Sequence, residues 1–165
     1  TNAEVTQFVW SQSNTLENTH FKIGKILAKY PELKHNTIAT IVDAGAIPYF
    51  SKWQTYDYTL NDKMTVQHGF SVDRFYENEP KLMFFYHSSA INPETSIEDL
   101  ERMFMKTVGK PDPGGYHDDI VINPKFENYE LLTIYLRMHV FAEKEFSLEN
   151  PNLINELIEN SVLGN

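Results

Sequence analysis

Helical spacing of apolar residues predicts three helices in this chain. The first follows Asn18 or Thr19, either of which can cap a helix N-terminus. The second begins at residues 95–96, and acidic residues occupy its first turn, where the helix dipole favours negative charge. The third runs from Asn152 to Val162. The apolar positions are Ile23, Ile26, Leu27 and Tyr30, then Ile97, Leu100, Phe104 and Val108, then Leu153, Leu157 and Ile158.

Alternating or continuous apolar runs predict the strands. The predicted strands cover residues 5–10, 47–53, 64–72, 81–87, 116–123 and 131–142. The stretch from Thr37 to Val42 is mostly β-branched and fits either a strand or the end of a helical excursion. The last strand presents Ile134, Leu136, Met138 and Val140 on one face and Thr133, Tyr135, Arg137 and His139 on the other.

The order strand, helix, strand, strand occurs twice, over about 5–72 and about 81–142. We therefore predict an α+β fold in which two strand-helix-strand-strand repeats form an antiparallel sheet backed by helices. A C-terminal helix at 152–162 completes this single domain of residues 1–165. The seam between the repeats is then a natural concave binding site.

Two pairs of segments carry a resemblance to a known family. They are Gly45–Trp53 with Val66–Val72, and Lys110–Asp119 with Tyr135–Val140. In these segments, in length and in the doubled order, the chain resembles the gyrase-inhibitor-like, effector-binding domains. The resemblance implies a small, often apolar or cationic ligand between the halves, and some members of that family hydrolyse small substrates.

The chain departs from that family at an acidic position. Members commonly have a glutamate two residues before a glycine in the last strand of the first half, whereas this chain has Gln67 before Gly69. A neutral amide cannot pair with a buried cation or act as a carboxylate base. The substitution therefore favours binding over hydrolysis.

Aromatic residues make up 13% of the chain and supply most candidate ligand contacts. An aromatic stripe is commonly core, but Tyr and Trp also need polar partners, which a ligand cleft can supply. The candidate ligand-binding residues are Phe8, Trp10, Tyr49, Trp53, Gln67, Tyr116, Tyr135, Arg137 and His139.

Charge and composition exclude several partners. The chain has 165 residues, a formal charge of −9 and no cysteine, so disulfides and cysteine-ligated metals are excluded. The negative charge disfavours direct nucleic-acid binding, and no apolar run in this segment is long enough to span a membrane. The start Thr1-Asn2-Ala3 has no readable signal peptide, which favours a cytoplasmic location. The oligomeric state stays open.

Motifs for catalysis and cofactors are missing from the sequence. The six histidines form no helical metal pair, and a strand would send His117 and Asp118 to opposite faces. The chain has no Gly-x-Ser-x-Gly elbow, and Gly114-Gly115 precedes a predicted strand rather than a phosphate-binding helix. We therefore predict no catalytic residues, no metal and no cofactor.

Three functions remain open. The first is non-enzymatic binding of an apolar or aromatic small molecule in the cleft between repeats, for sensing or sequestration. The second is a hydrolase acting in the same cleft. The third is an acidic protein-interaction module of the immunity-protein, chaperone or inhibitor type, because the net charge is strongly negative.

Overall fold

The protein is represented by a computed structural model that describes residues 16–40, 45–57, 63–86, 116–135 and 138–161. The strands are β1 Thr37–Thr40, β2 Gln54–Asp57, β3 Leu82–Tyr86, β4 Tyr129–Tyr135 and β5 Met138–Glu143. A π-helical turn, Glu17–Phe21, leads into α1 Lys22–Leu27; then follow α2 Ala46–Ser51, α3 Lys63–His68, α4 Val72–Glu77, α5 Tyr116–Val121, α6 Lys144–Glu149 and α7 Pro151–Glu159. Short 3-10 turns lie at Pro31–Leu33 and Pro124–Asn128.

The five described strands form one sheet in the order β2-β1-β3-β5-β4. This confirms an α+β fold with a sheet backed by helices and a C-terminal helix. The sheet is mixed, however, and the expectation of a purely antiparallel sheet is wrong. Strand β1 pairs in parallel with β2 and β3, while β5 is antiparallel to β3 and β4. The parallel pairs arise because helices, rather than tight turns, follow β1 and β2.

Apolar side chains cover both faces of the sheet. One face carries Ile38, Leu82 and Val140 in a core that includes residues of α1, α2, α6 and α7. The other face carries Met83 and Phe141 in a second core that includes residues of α4 and α5. Helices therefore lie on both sides of the sheet, and most strand residues are buried from above and below.

Three elements match the sequence-based expectations. The helix expected near Asn18 and Thr19 is the π-helical turn with α1, although it begins at Glu17 and both residues lie inside it rather than capping it. The strand expected at 81–87 is β3. The C-terminal helix is α7, in which Leu153 and Leu157 are buried. The open stretch beginning at Thr37 is a strand, β1.

The strand pair expected at 47–53 and 64–72 is wrong. The first segment is mainly α2, because Pro48 is tolerated in the first helical turn while Ile47 and Ser51 share its buried face. The second segment holds α3 and the start of α4, separated by Gly69 with φ +78°. Val66, expected to face the core, is 67% exposed.

Residues 116–121 are also helical rather than extended. They form α5, whose buried Ile120 and Val121 lie in the same core as Phe75 of α4. Ile122, which completed the apolar run behind the strand expectation, is 66% exposed. A run of three apolar residues therefore did not distinguish a strand from the end of a helix.

The long strand expected at 131–142 is two strands. Strands β4 and β5 pair antiparallel, with Tyr135 opposite Met138. Tyr135 and Met138 consequently share one core, although simple alternation assigned them to opposite faces. A register shift between Leu131 and Thr133 also interrupts the alternation in β4.

Two further expectations, the strand at 5–10 and the helix after residues 95–96, lie outside the described residues. The division into two repeats stays a prediction.

Candidate functional site

Trp53 is a core residue in the structure rather than part of a cleft wall. It is 3% exposed, and its indole Nε1 donates a hydrogen bond of 3.1 Å to the backbone carbonyl of Leu27. Its ring meets that of Phe146 edge-on, with centroids 6.4 Å apart. Its polar partner is thus the end of α1.

Tyr135 and His139 are buried as well. Tyr135 is 1% exposed and His139 is 2% exposed. The hydroxyl of Tyr135 donates a hydrogen bond of 2.6 Å to the carbonyl of Leu157 in α7. Burial raises the pKa of the Tyr135 hydroxyl well above its ordinary value, so this side chain is a neutral hydrogen-bond donor.

Of the remaining candidates, the structure describes the side chains of Tyr49 and Gln67, and both are exposed rather than buried with Trp53 and Tyr135. Tyr49 is exposed on α2, with Nζ of Lys52 4.5 Å from its ring centre, and Gln67 is exposed on α3. Residue 116 begins α5, and its side chain is not among those described. Phe8, Trp10 and Arg137 lie outside the described residues.

Thr40 and Asp57 lie side by side at the carboxyl ends of β1 and β2, and both are buried. Ligands of parallel sheets commonly bind beyond this edge. The residues that follow these strands, 41–44 and 58–62, lie outside the described part of the chain. The candidate site is therefore sought among the cavities that described residues line.

The described cavities lie at the opposite, amino edge of the sheet. At this edge the backbone N–H of Lys81 donates to the carbonyl of Thr37 at 2.7 Å, and that of Glu143 donates to the carbonyl of Lys81 at 3.0 Å. The side chains of Lys81 and Glu143 form an ion pair, with 2.6 Å between Nζ and Oε2. This half-buried pair lines both of the cavities described below.

The first cavity, which we call the acidic cavity, has a volume of about 380 Å³. Beyond the ion pair, its charged side chains are Glu145 and Glu149, so three carboxylates face one ammonium group. Leu33 and Phe146 supply apolar surface. Among the described residues, the lining is Leu33, His35, Asn36, Lys81, Glu143, Glu145, Phe146, Glu149 and Asn150.

Two amides add hydrogen-bond acceptors to the acidic cavity. Nδ2 of Asn36 donates to the carbonyl of Leu33 at 3.0 Å, and Nδ2 of Asn150 donates to the carbonyl of Phe146 at 2.9 Å. Each side chain has thus used a donor locally, and its Oδ1 is an acceptor. The lining is therefore richer in acceptors than in donors.

The second cavity, which we call the tyrosine cavity, has a volume of about 330 Å³ on the other side of the ion pair. Tyr76 donates its hydroxyl to the carbonyl of Ile120 at 2.7 Å, and Tyr129 donates to that of Pro80 at 2.8 Å. Burial raises the pKa of both hydroxyls, and nearby Glu143 adds to the rise at Tyr129. Its lining, within the part of the chain that the structure describes, is Tyr76, Glu79, Lys81, Lys125, Asn128, Tyr129 and Glu143.

Sequence reasoning missed both cavities. The acidic cavity combines residues 33–36 and 143–150 with Lys81, and no motif links these three stretches. Pairing of β3 with β5 brings the stretches together, and that pairing has no local signature.

The structure also bears on metals and membranes within the described residues. No group of three or more His, Asp or Glu side chains is arranged to hold a metal ion there. None of the helices found among those residues combines the length and apolar character needed to cross a membrane.

Comparisons with protein-family models, with curated proteins and with solved structures find no match to this chain. The candidate site therefore depends on its geometry and charge alone.

Proposed function

We propose that this chain binds a small molecule carrying a positively charged nitrogen, and that the acidic cavity holds that nitrogen. The observation that carries the proposal is the excess of carboxylates over ammonium groups in the lining. A protonated amine donates up to three hydrogen bonds and accepts none. It therefore complements a lining composed mostly of acceptors.

Size and surface type support the same ligand class. A volume of about 380 Å³ falls at the small end of the range for ligand sites, roughly 300–1,000 Å³. Leu33 and Phe146 can contact a short hydrocarbon or ring next to the charged nitrogen. No chemical transformation of the ligand is part of this proposal.

The proposal keeps the binding class expected from sequence and changes the place and the ligand. An aromatic wall between two repeats loses support, because Trp53 and Tyr135 are in the core. The resemblance to effector-binding domains implies a small ligand that is often apolar or cationic. This chain, however, has Gln67 where that family commonly has the glutamate that would pair with a cation. Glu145 and Glu149 would supply negative charge from α6 instead. The hydrolase and the acidic interaction module stay predictions.

The test is thermal unfolding and calorimetry with benzylamine, benzyl alcohol and benzoate as probes. These share a ring and differ in charge. Benzylamine should raise the melting temperature, since a ligand at 100 times its Kd stabilises by about 2.7 kcal/mol. Benzoate and benzyl alcohol should produce no comparable shift.

Matched variants test whether benzylamine binds in the acidic cavity. The double variant E145Q/E149Q should weaken benzylamine binding by about tenfold or more, because it removes two charge-assisted contacts. E159Q, on the exposed face of α7 and outside both linings, should bind benzylamine like the parent protein. Equal stabilisation by benzylamine and benzyl alcohol, or equal weakening by E159Q, would overturn the proposal.

A further inference from the structure

Lys81 and Glu143 line the acidic cavity and the tyrosine cavity alike. The two cavities are therefore neighbours. Phe146 in the acidic cavity belongs to the core on one face of the sheet, and Tyr76 in the tyrosine cavity belongs to the core on the other face. With volumes of about 380 and about 330 Å³, either can hold one end of a small molecule. A ligand that extends from one cavity into the other would contact the Lys81–Glu143 pair that both cavities share.

The linings differ in charge on the two sides of that pair. Beyond the pair, the described residues of the acidic cavity add two carboxylates, Glu145 and Glu149, and no lysine or arginine. The tyrosine cavity adds one carboxylate, Glu79, and one ammonium group, that of Lys125. The site thus becomes less negative from the acidic cavity to the tyrosine cavity.

Lys125 is available to a ligand. Within the described residues its ammonium group forms no ion pair with Glu79 or any other carboxylate, and Nζ lies 5.7 Å from the centre of the Tyr76 ring. A cation–π contact at an exposed site is weak, roughly 0.5–1 kcal/mol. A ligand carboxylate is a stronger partner for an ammonium group, because both are charged.

The hydroxyls of buried Tyr76 and half-buried Tyr129 do not compete for this role. Tyr76 and Tyr129 each donate the hydroxyl proton to a backbone carbonyl, at 2.7 Å and 2.8 Å. A phenol has one proton to donate, so these hydroxyls are committed within the protein. Lys125 and the amide of Asn128 are then the donors through which the tyrosine cavity would recognise an anionic group, beside the already paired Lys81.

We infer that the two cavities form one site for a zwitterion, a molecule with an ammonium group at one end and a carboxylate at the other. The ammonium group lies in the acidic cavity, and the carboxylate lies in the tyrosine cavity beside Lys125. The Lys81–Glu143 pair runs alongside the ligand with its own charges. This inference rests on the proposed function, because it places the same charged nitrogen in the same cavity.

The test compares 6-aminohexanoate with hexylamine by calorimetry on the full chain. The two probes share the amine and the six-carbon chain, and only the first has a carboxylate. We expect 6-aminohexanoate to bind about tenfold more tightly, as one charge-assisted contact would give. Glycine and 4-aminobutanoate, in which the two charged groups are closer together, should bind more weakly than 6-aminohexanoate.

K125Q should remove the preference for the zwitterion, weakening 6-aminohexanoate about tenfold while hexylamine binding changes less than twofold. K63Q, on the exposed α3 and outside both linings, is the matched control and should leave both affinities unchanged. Equal affinity for the two probes, or equal weakening of both by K125Q, would overturn the inference.

The outcome also separates this inference from the proposed function. If hexylamine binds and E145Q/E149Q weakens it, but the carboxylate adds nothing, only the zwitterion inference fails. If neither probe binds, the proposed function fails with it.

Discussion

The hydroxyl of Tyr135 donates a hydrogen bond of 2.6 Å to the carbonyl oxygen of Leu157, joining β4 to α7. Leu157 lies in the last turn of α7, where backbone carbonyls have no partner within the helix. Tyr135 therefore satisfies a helix-end carbonyl from the sheet beneath it. The contact fixes the C-terminal helix over one of the two cores.

Replacing Tyr135 by phenylalanine tests this contact. The ring remains, but the carbonyl of Leu157 loses its donor inside the protein. We expect the free energy of unfolding to fall by about 1–3 kcal/mol, the cost of leaving a buried polar group unsatisfied. Urea unfolding measures the change. Y49F is the control: Tyr49 is 67% exposed, and its variant should stay within about 0.5 kcal/mol of the parent.

Leu157 itself should contribute strongly through burial. It is 0% exposed, and L157A should lower the free energy of unfolding by about 2–5 kcal/mol, because it leaves a cavity in the core. The matched control is L148A in α6, where Leu148 is 83% exposed. That variant should change stability by less than about 0.5 kcal/mol. Similar losses in the two variants would contradict the placement of α7.

Two glycines should respond in opposite directions to alanine. A Cβ on Gly24 would lie 3.0 Å from Cβ of Phe50 and 3.1 Å from the carbonyl oxygen of Ile47, so α1 and α2 would have to separate. We expect G24A to destabilise the protein, because overpacking costs about 1–3 kcal/mol and exceeds the helix-propensity gain of about 1 kcal/mol.

Gly45 is the control, since a Cβ there meets no atom within 4 Å and the backbone φ is −59°. G45A should therefore raise the free energy of unfolding by about 0.4–1 kcal/mol through a less flexible unfolded chain. Thermal unfolding of both variants measures whether each substitution raises or lowers the stability. A stabilised G24A would show that the two helices do not cross closely.

Stability should fall in acid through Glu156. A hydrogen bond from Lys29 lowers the pKa of this carboxyl, and the Tyr30 hydroxyl at 3.0 Å acts in the same direction against burial. A carboxyl whose pKa is lower in the folded state contributes stability above its unfolded pKa, near 4.5. That contribution is lost as the pH falls through the folded pKa.

The measurement is urea unfolding of the parent, E156Q and E159Q between pH 7 and pH 2.5. E156Q should be less stable than the parent at pH 7, and the difference should shrink as the pH falls below 4.5. E159Q, on the exposed face of the same helix, serves as the control. A difference that stays constant with pH would show that Glu156 acts through packing alone.

Sequence patterns predicted the elements whose burial is encoded in the local sequence. Helix α7 has buried residues at helical spacing, Leu153 and Leu157, and β3 is a continuous apolar run. Strand β1 could not be decided from Thr37–Val42, because a mostly β-branched run this short fits either a strand or the end of a helix.

The connections between strands were not predictable. Helices α2 and α3 each have six residues, and α3 is mostly exposed, so neither shows a clear helical period. Apolar and polar residues alternate on both sides of Gly69, which is typical of a strand, but the backbone turns at Gly69 with φ +78°. Once those helices were interpreted as strands, the parallel pairing of β1 with β2 could not be anticipated.

The candidate site was not predictable for a different reason. Trp53 and Tyr135 do have polar partners, as expected for these residue types. The partners, however, are the backbone carbonyls of Leu27 and Leu157 rather than a ligand. The cavities depend on the Lys81–Glu143 pair, whose members are 62 positions apart. Only tertiary pairing brings such residues together.

The strand order has a consequence for how the chain folds as it leaves the ribosome. Central β3 pairs with β1 at Ile38 and Leu82, 44 positions apart, and with β5 at Leu82 and Ala142, 60 positions apart. Contacts this distant in sequence slow folding, because long loops must close first. The apolar strand Leu82–Tyr86 therefore waits for its second neighbour until most of the chain has been synthesised. During that interval this apolar strand is exposed to aggregation.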